Sequence, residues 1–230
     1  MKRENIHLPQ DVVWLLQTLH HAGYSAYVVG GCVRDSLLGR RPGDWDICTA
    51  ARPDQMRALF ADRQLILTGE KHGTVGVVLH GTPYEITTYR LDGTYQDHRH
   101  PNRVQFVGEL AQDLARRDFT INAMAYAPDE GVIDLYGGRR DLAAGIIRCV
   151  GNPEARFAED ALRILRALRF SARLGFTLEA GTETAARAAR DSLQSVSAGR
   201  SYAELGGLLV GQYAGKTLAT YGEILARAVP

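Results

Sequence analysis

Asp44 and Asp46 flank Trp45 in a chain of 230 residues. On an extended backbone, whose period is two, both carboxylates would share one face and the indole the other, a presentation that suits a divalent cation. Upstream, the apolar run Ala26–Val29 reads as a buried strand that breaks at Gly30 and Gly31, and Cys32–Leu38 can then form two helical turns before Gly39. A glycine pair that ends a strand and opens a helix lets backbone N–H groups approach an anion, and the helix N-terminus adds partial positive charge. That suits a phosphate. Taken singly, Gly-Gly is commonly a turn and Asp-x-Asp a solvated pair, so the information lies in their conjunction within one loop.

Two further groups of residues carry chemistry. Arg116, Arg117 and Asp118, followed by Asn122, combine guanidinium forks that bind phosphate oxygens with a carboxylate and an amide able to bond ribose hydroxyls. A helix-surface salt bridge from either arginine to Asp113 is the plainer alternative. Downstream, residues 158–176 read as one helix with Ile164, Leu165, Leu168 and Ala172 on an apolar arc and Arg163, Arg166, Arg169 and Arg173 on another. Asp160 and Arg163, three apart, project as neighbours.

These groups must be positioned by a mixed framework. Residues 9–22 form an amphipathic helix stopped by Gly23, residues 53–60 a short helix, and residues 64–68 a strand. Residues 73–79 and 84–90, joined by HGTP, read as a hairpin in which Glu85, Thr87 and Tyr89 share a face. Residues 91–107 begin as a polar, turn-rich loop, and 109–115 form a short helix. Residues 131–136 and 146–150 are further short strands with Gly137 and Gly138 at a turn between them. From Pro153 the pattern becomes helical, with residues 179–190, 203–210 and 217–229 as later helices and Gly206 and Gly207 weakening the second by about 1 kcal/mol each. The expected class is α+β: a small mixed sheet with helices over residues 1–152, then an all-helical segment over 153–230.

Composition narrows the function classes. With 45% hydrophobic and 23% charged residues the chain has ordinary globular composition. No apolar stretch approaches the ~18 residues of a membrane span, and the first residues lack a signal-peptide core, so a cytoplasmic protein is expected. Cys32, Cys48 and Cys149 have no C-x-x-C spacing and read as buried, reduced thiols. Residues 1–138 hold 14 Lys and Arg against 17 Asp and Glu, whereas residues 139–230 hold 13 against 9. An acidic half that could hold metal beside a basic half fits a nucleic-acid substrate. The seven histidines form no His-Asp cluster, so a metal-dependent phosphohydrolase has no supporting motif.

The three blocks, GGCVRD followed by DWD, then RRD with Asn122, then EDALR, together resemble the class II tRNA nucleotidyltransferase and bacterial poly(A) polymerase group within the polymerase β-like nucleotidyltransferases. The resemblance implies a template-independent enzyme that adds CMP and AMP from CTP and ATP to the 3′ end of tRNA, releasing pyrophosphate, by a two-metal mechanism with Mg²⁺. It assigns Asp44 and Asp46 as metal ligands and catalytic groups, with Glu85 as third carboxylate. It places Gly30, Gly31, Arg34, Arg116 and Arg117 at the triphosphate, and Asp118 with Asn122 at the ribose. Asp160 and Arg163 fall at the base edge, with Arg166 and Arg169 on the same nucleotide-binding face. Asp97, His98, Arg99, His100 and Pro101 match a loop the family places near its active site, except that His100 replaces an arginine. That loop argues against a CC-only enzyme but does not separate CCA addition from A addition. A poly(A) polymerase or A-adding enzyme of the same fold, and an NTP- or RNA-binding fragment without full activity, remain as alternatives. Segment 196–211 departs from the family pattern around Gly199 and Arg200, and the chain is expected to stop inside the family's helical body.

Overall fold

The computed structural model describes residues 5–92 and 104–228. Expectations for Asp97, His98, Arg99, His100 and Pro101 therefore fall outside the described residues. The chain packs as two compact units, the first formed by residues 5–92, 104–117 and 122–136 and the second by 118–121 and 137–228.

The first unit contains α1 (Gln10–His21), β1 (Ala26–Val29), α2 (Gly31–Leu37), β2 (Ile47–Thr49), α3 (Pro53–Leu59), β3 (Gln64–Ile66), β4 (Thr74–Leu79), β5 (Thr82–Thr88), β6 (Arg90–Asp92), β7 (Val104–Phe106), α4 (Leu110–Ala115), β8 (Met124–Ala127) and β9 (Gly131–Asp134). Among the described residues, seven strands form one sheet in the order β3-β4-β5-β2-β1-β8-β9. Every pairing is antiparallel except β2 with β5, where Ile47 faces Ile86 and Thr49 faces Thr88. All four residues of β1 are buried, as an apolar run without alternation requires of a strand covered on both faces. Tyr27, Val29, Cys48, Tyr89, Leu114, Ala125 and Ala127 make a shared core. Helix α1 adds Val12, Leu15, Leu16 and Leu19 to the buried set at helical spacing.

The hairpin closes more tightly than the sequence suggests. Leu79 pairs with Thr82, leaving His80 and Gly81 as a two-residue loop with φ of 50° and 79°. Two left-handed residues match the twist of a hairpin. Pro83 thus lies within β5, where β2 reaches only as far as Ile86, so its missing N–H interrupts no bond to that neighbour. Strand β8 was not anticipated: its four residues are buried beside β1, and a short apolar run does not reveal its period. The Asp-x-Asp segment is not part of β2, which starts one residue after Asp46, although Asp46 still accepts from the Val29 N–H at 3.0 Å.

The second unit contains α5 (Gly138–Ala144), β10 (Ile146–Ile147), α6 (Pro153–Glu159), α7 (Leu162–Leu174), β11 (Thr177–Leu178), α8 (Ala180–Ala188), α9 (Ala198–Leu209) and α10 (Ala214–Leu225). Gly137 and Gly138 open helix α5 rather than form a strand-to-strand turn. Residues 146–150 do not extend the large sheet. Ile146 and Ile147 pair with β11, and Thr120 N–H donates to Arg148 while Val150 N–H donates to Asp118.

The single helix expected over 158–176 is broken. Asp160 is extended, with φ −149° and ψ 105°. Its Oδ1 accepts from the Leu162 N–H at 3.0 Å and its carbonyl from the Arg163 N–H at 3.0 Å, so an aspartate that could have continued α6 instead starts α7. Helix α9 runs through Gly206 and Gly207 without interruption. A Cβ on Gly207 would lie 2.7 Å from Cδ of Arg169, so the glycine admits that side chain at a close helix crossing. Cys32, Cys48 and Cys149 are buried and unbridged. Among the described residues no helix is long and apolar enough to cross a membrane.

Candidate active site

In the first unit a groove of about 1280 Å³ is lined by Asp44, Trp45, Asp46 and Glu85, with Arg40 and Tyr84 among its other walls. Because no strand passes through residues 44–46, the expected alternation does not hold and Trp45 lines the groove with the two aspartates. The parallel register brings Glu85 there too: Ile47 faces Ile86, so the residues preceding them, Asp46 and Glu85, lie side by side. Crowding raises the Asp46 carboxyl from 3.8 to about 6, first through loss of water and then through repulsion by Asp44, with a smaller push from Glu85. Arg117 opposes this shift. A divalent cation would relieve such repulsion, and the all-oxygen donor set suits a hard cation. Among the described residues no three acid, imidazole or thiol groups are grouped closely enough to hold a metal unaided. Two carboxylates leave coordination positions for water and phosphate oxygens, as such cations require.

The glycine turn faces the arginines. Gly30 has φ 82° and ψ −127°, a backbone region that side-chain-bearing residues avoid, and its N–H donates to Met124. A Cβ there would lie 3.3 Å from Nη1 of Arg117. Gly31 opens α2 and lies near Arg34. Gly30→Ala is accordingly expected to cost about 1–3 kcal/mol in urea unfolding and to displace Arg117. An unchanged midpoint would mean that the turn relaxes freely.

Asp113, fully buried, settles the salt-bridge question raised by the sequence: it holds both arginines. Arg116 donates to Oδ1 through Nε at 2.9 Å and lies 2.8 Å from it through Nη2, and Arg117 Nη2 donates to Oδ2 at 3.0 Å. Burial alone would lower Arg117; Asp113 first, and Asp46 after it, hold it above its ordinary value. Asp113 therefore leaves the Nη1 side of Arg117 against the glycine turn. Arg34 is fixed by Asp35 at 2.8 Å and by the Asn122 side-chain oxygen at 2.7 Å, so Asn122 orients an arginine here.

The Arg-Arg-Asp block is divided, since Asp118 belongs to the second unit. Its Oδ1 accepts from the Phe119 N–H at 2.8 Å, and its Oδ2 accepts from Arg166 Nε and Nη2 at 2.8 and 2.7 Å. Asp118 in turn holds Arg166 above its ordinary value. Arg166 and Arg169 both lie over the Phe170 ring and both approach Glu204. The face expected to present bare arginines is thus already engaged with carboxylates. Among the described residues the side chains of Asp160 and Arg163 have other partners: Asp160 Oδ2 accepts from Arg200 at 2.7 Å, while Arg163 donates to Glu159 and to the Arg156 carbonyl. Sequence reasoning missed Arg200, Glu204 and Glu159 as partners. For Glu159 the four-residue spacing to Arg163 was the available signal, whereas Arg200 and Glu204 reach partners far away in the sequence.

The poly A polymerase head domain family matches residues 26–148, a little over half of the chain. The CCA-adding enzyme of Leuconostoc citreum is 48% identical over 92% of this chain and 53% of its own length, and that of Geobacillus thermodenitrificans 47% identical over 93% and 52%. Among solved structures, the Bacillus stearothermophilus CCA-adding enzyme in complex with CTP superposes with a TM-score of 0.86 at 44% identity, covering 93% of this chain and 51% of that one. The Thermotoga maritima CCA-adding enzyme complexed with tRNA gives 0.77 at 27% identity, covering 97% and 55%. This chain spans about half the length of the curated relatives it matches. With the glycine turn, the paired aspartates and the arginine block lying inside the matched residues, the chain belongs to the poly A polymerase head domain family, in the class II tRNA nucleotidyltransferase and poly(A) polymerase group.

Proposed function

We propose that this chain carries the catalytic part of a cytoplasmic nucleotidyltransferase that adds CMP and AMP, from CTP and ATP, to the 3′ end of tRNA. One observation carries the reading most: the Asp46 carboxyl, crowded by Asp44 and Glu85 and raised to about 6, shares its surroundings with Arg117, which lies against the Gly30 turn. Carboxylates suited to a divalent cation, close to an arginine that backs a glycine turn, are what nucleotidyl transfer needs. Its relatives bind CTP and tRNA by the names they carry, and that is the substrate class extended to this chain.

Divalent-metal use follows from membership of the family, and Mg²⁺ is the cation proposed, held by Asp44 and Asp46 with Glu85 alongside. When bound it supplies Lewis acidity, making the RNA 3′-hydroxyl easier to deprotonate and neutralising charge on the departing pyrophosphate. The 3′ oxygen forms a bond to the α-phosphorus as the bond to pyrophosphate breaks. In the first unit the Gly30 and Gly31 backbone, Arg117 and Arg116 hold the triphosphate, and Asn122 keeps Arg34 turned for the same task. In the second unit Asp118 takes the ribose, while Asp160 accepts from a base amino group and Arg163 donates to a base acceptor. Cytosine and adenine present an amino group where uracil and guanine present a carbonyl oxygen, which an ionised aspartate repels. Functionally the catalytic head extends through residue 152 and nucleotide choice through 153–230. Catalysis is then positioning and electrostatics.

The test supplies a tRNA ending at its discriminator base with one labelled nucleotide at a time. CTP alone should extend it by two residues, ATP alone by none, and both together by three, following the C, C, A sequence. Extension by ATP alone would point to an A-adding or poly(A) activity, and NTP binding without any extension to a binding fragment.

A further inference from the structure

We propose that Arg40 and Arg41 clamp the RNA 3′ end: they hold the last phosphates of the strand in the groove while its hydroxyl reaches the Asp44 and Asp46 pair. This rests on the reading above that the groove carboxylates carry nucleotidyl transfer to RNA.

The two arginines follow α2 directly. Gly39, with φ 68°, stops the helix, and the Arg40 N–H donates to the Asp35 carbonyl at 2.8 Å. Their backbone is thereby tied to the helix that the glycine turn opens. Both residues are exposed, and both line the groove with Asp44, Asp46 and Glu85. Five other arginines of the first unit have carboxylate partners: Arg34 has Asp35, Arg57 has Glu70, Arg63 has Asp62, and Arg116 and Arg117 share Asp113. Arg40 and Arg41 have no ion pair and no side-chain hydrogen bond among the described residues, although three carboxylates share their groove. Positive and negative groups thus lie along one surface without neutralising each other.

Such a surface complements the end of a strand. An RNA terminus presents a hydroxyl for the metal and, one sugar away, a phosphate for the cations. In-line transfer also fixes the side of entry, because the attacking hydroxyl and the departing pyrophosphate lie on opposite sides of the α-phosphorus. With the triphosphate at the glycine turn and Arg117, the strand must come from elsewhere. The groove reaches the carboxylates without including Gly30, Gly31 or Arg117 in its walls. Its volume of about 1280 Å³ exceeds the ~300–1,000 Å³ of a small-molecule pocket, which suits a chain end better than a single small ligand. The plainer role for two cations just past a helix end is to favour its dipole. That role involves no RNA.

The experiment measures affinity for a tRNA ending at its discriminator base by fluorescence anisotropy over a range of KCl concentrations, and KM for CTP by incorporation. Three proteins are compared: wild type, the double variant Arg40→Gln with Arg41→Gln, and the double variant Arg40→Lys with Arg41→Lys, each also followed by thermal melting. The glutamine pair should bind tRNA about tenfold more weakly and lose about 1.4 from the slope of log affinity against log salt, at ~0.7 per single-strand phosphate contact. The lysine pair should keep most of the slope, since a phosphate is still met by a point charge. KM for CTP should stay at the wild-type value in both. Wild-type tRNA affinity and slope in the glutamine pair overturn the proposal. A raised KM for CTP with tRNA affinity unchanged also overturns it, by placing the triphosphate against these arginines, and so does a lowered melting temperature with tRNA affinity unchanged, which is what a helix-end pair gives. Should the glutamine pair fail to fold, Arg40→Gln and Arg41→Gln decide singly: each should lose about half of that slope, and a wild-type slope in both overturns the proposal. A wild-type chain that extends no tRNA overturns the transferase reading and this inference with it, whereas normal extension with unchanged tRNA binding by the variants overturns this inference alone.

Discussion

Asp46→Asn should lower nucleotide transfer by on the order of 10³-fold or more while leaving the fold intact. Asparagine fills the same space in the groove but removes one of the two paired charges, and among the described residues no cluster of three acid, imidazole or thiol groups could hold a metal in their place. The measurement is single-turnover incorporation with saturating Mg²⁺. Transfer within tenfold of wild type would remove Asp46 from the chemistry. The same substitution has a stability signature. A carboxyl whose folded pKa is raised contributes stability that is full below its ordinary value of 3.8 and is lost as pH rises through about 6. Without metal, Asp46→Asn is therefore expected to melt above wild type at pH 7 and together with it below pH 4. Asp46 is exposed in the groove, so water screens the effect and the difference is modest. Added divalent cation should erase it by stabilising only the wild type.

Asp113→Ala carries the second large effect, now on folding. Removing the carboxylate takes its counter-ion from the Arg117 guanidinium in the first unit, and breaking a buried ion pair by deleting one partner costs about 3–5 kcal/mol. Urea unfolding should show that loss. Asp113→Leu combined with Arg117→Met should recover much of it, because a buried charge no longer lacks a partner; failure to recover would place the cost in local packing. Although burial pushes the Asp113 carboxyl up, Arg117 and Arg116 together bring it below the ordinary value. Its contribution is thus present above 3.8 and is lost as pH falls through the depressed value. Asp46 and Asp113 have opposite linkages, one favouring acid and the other resisting it.

Much of the candidate site was legible because its parts are local. Gly30 and Gly31 sit at a strand end, Asp44 and Asp46 are two apart, and Arg116 adjoins Arg117, so spacing alone exposes them. Glu85 was legible only conditionally, and the parallel pairing of β5 with β2 supplied the missing condition. What escaped depends on distant partners. A salt bridge at Asp113 and a phosphate role for Arg117 looked like alternatives, yet the buried carboxylate takes one side of the arginine and leaves the other against the turn. The break at Asp160 was hidden because Glu159, Ala161 and Leu162 are all good helix formers, and only the side-chain bond to the Leu162 N–H reveals the aspartate as a helix start. Strand β8 gave no periodic signal for want of length.

The parallel pairing of β2 with β5 also sets what insertions the molecule can tolerate. Side chains along a strand alternate, so one extra residue between the His80–Gly81 loop and Glu85 would move the glutamate to the buried position of Ile86 and put the residue before it at the groove. Two extra residues would restore the alternation while shifting β5 along its neighbours. Lengths in this hairpin should thus vary by even steps among functional sequences, a parity rule that depends on the sheet and on no property of the nucleotide.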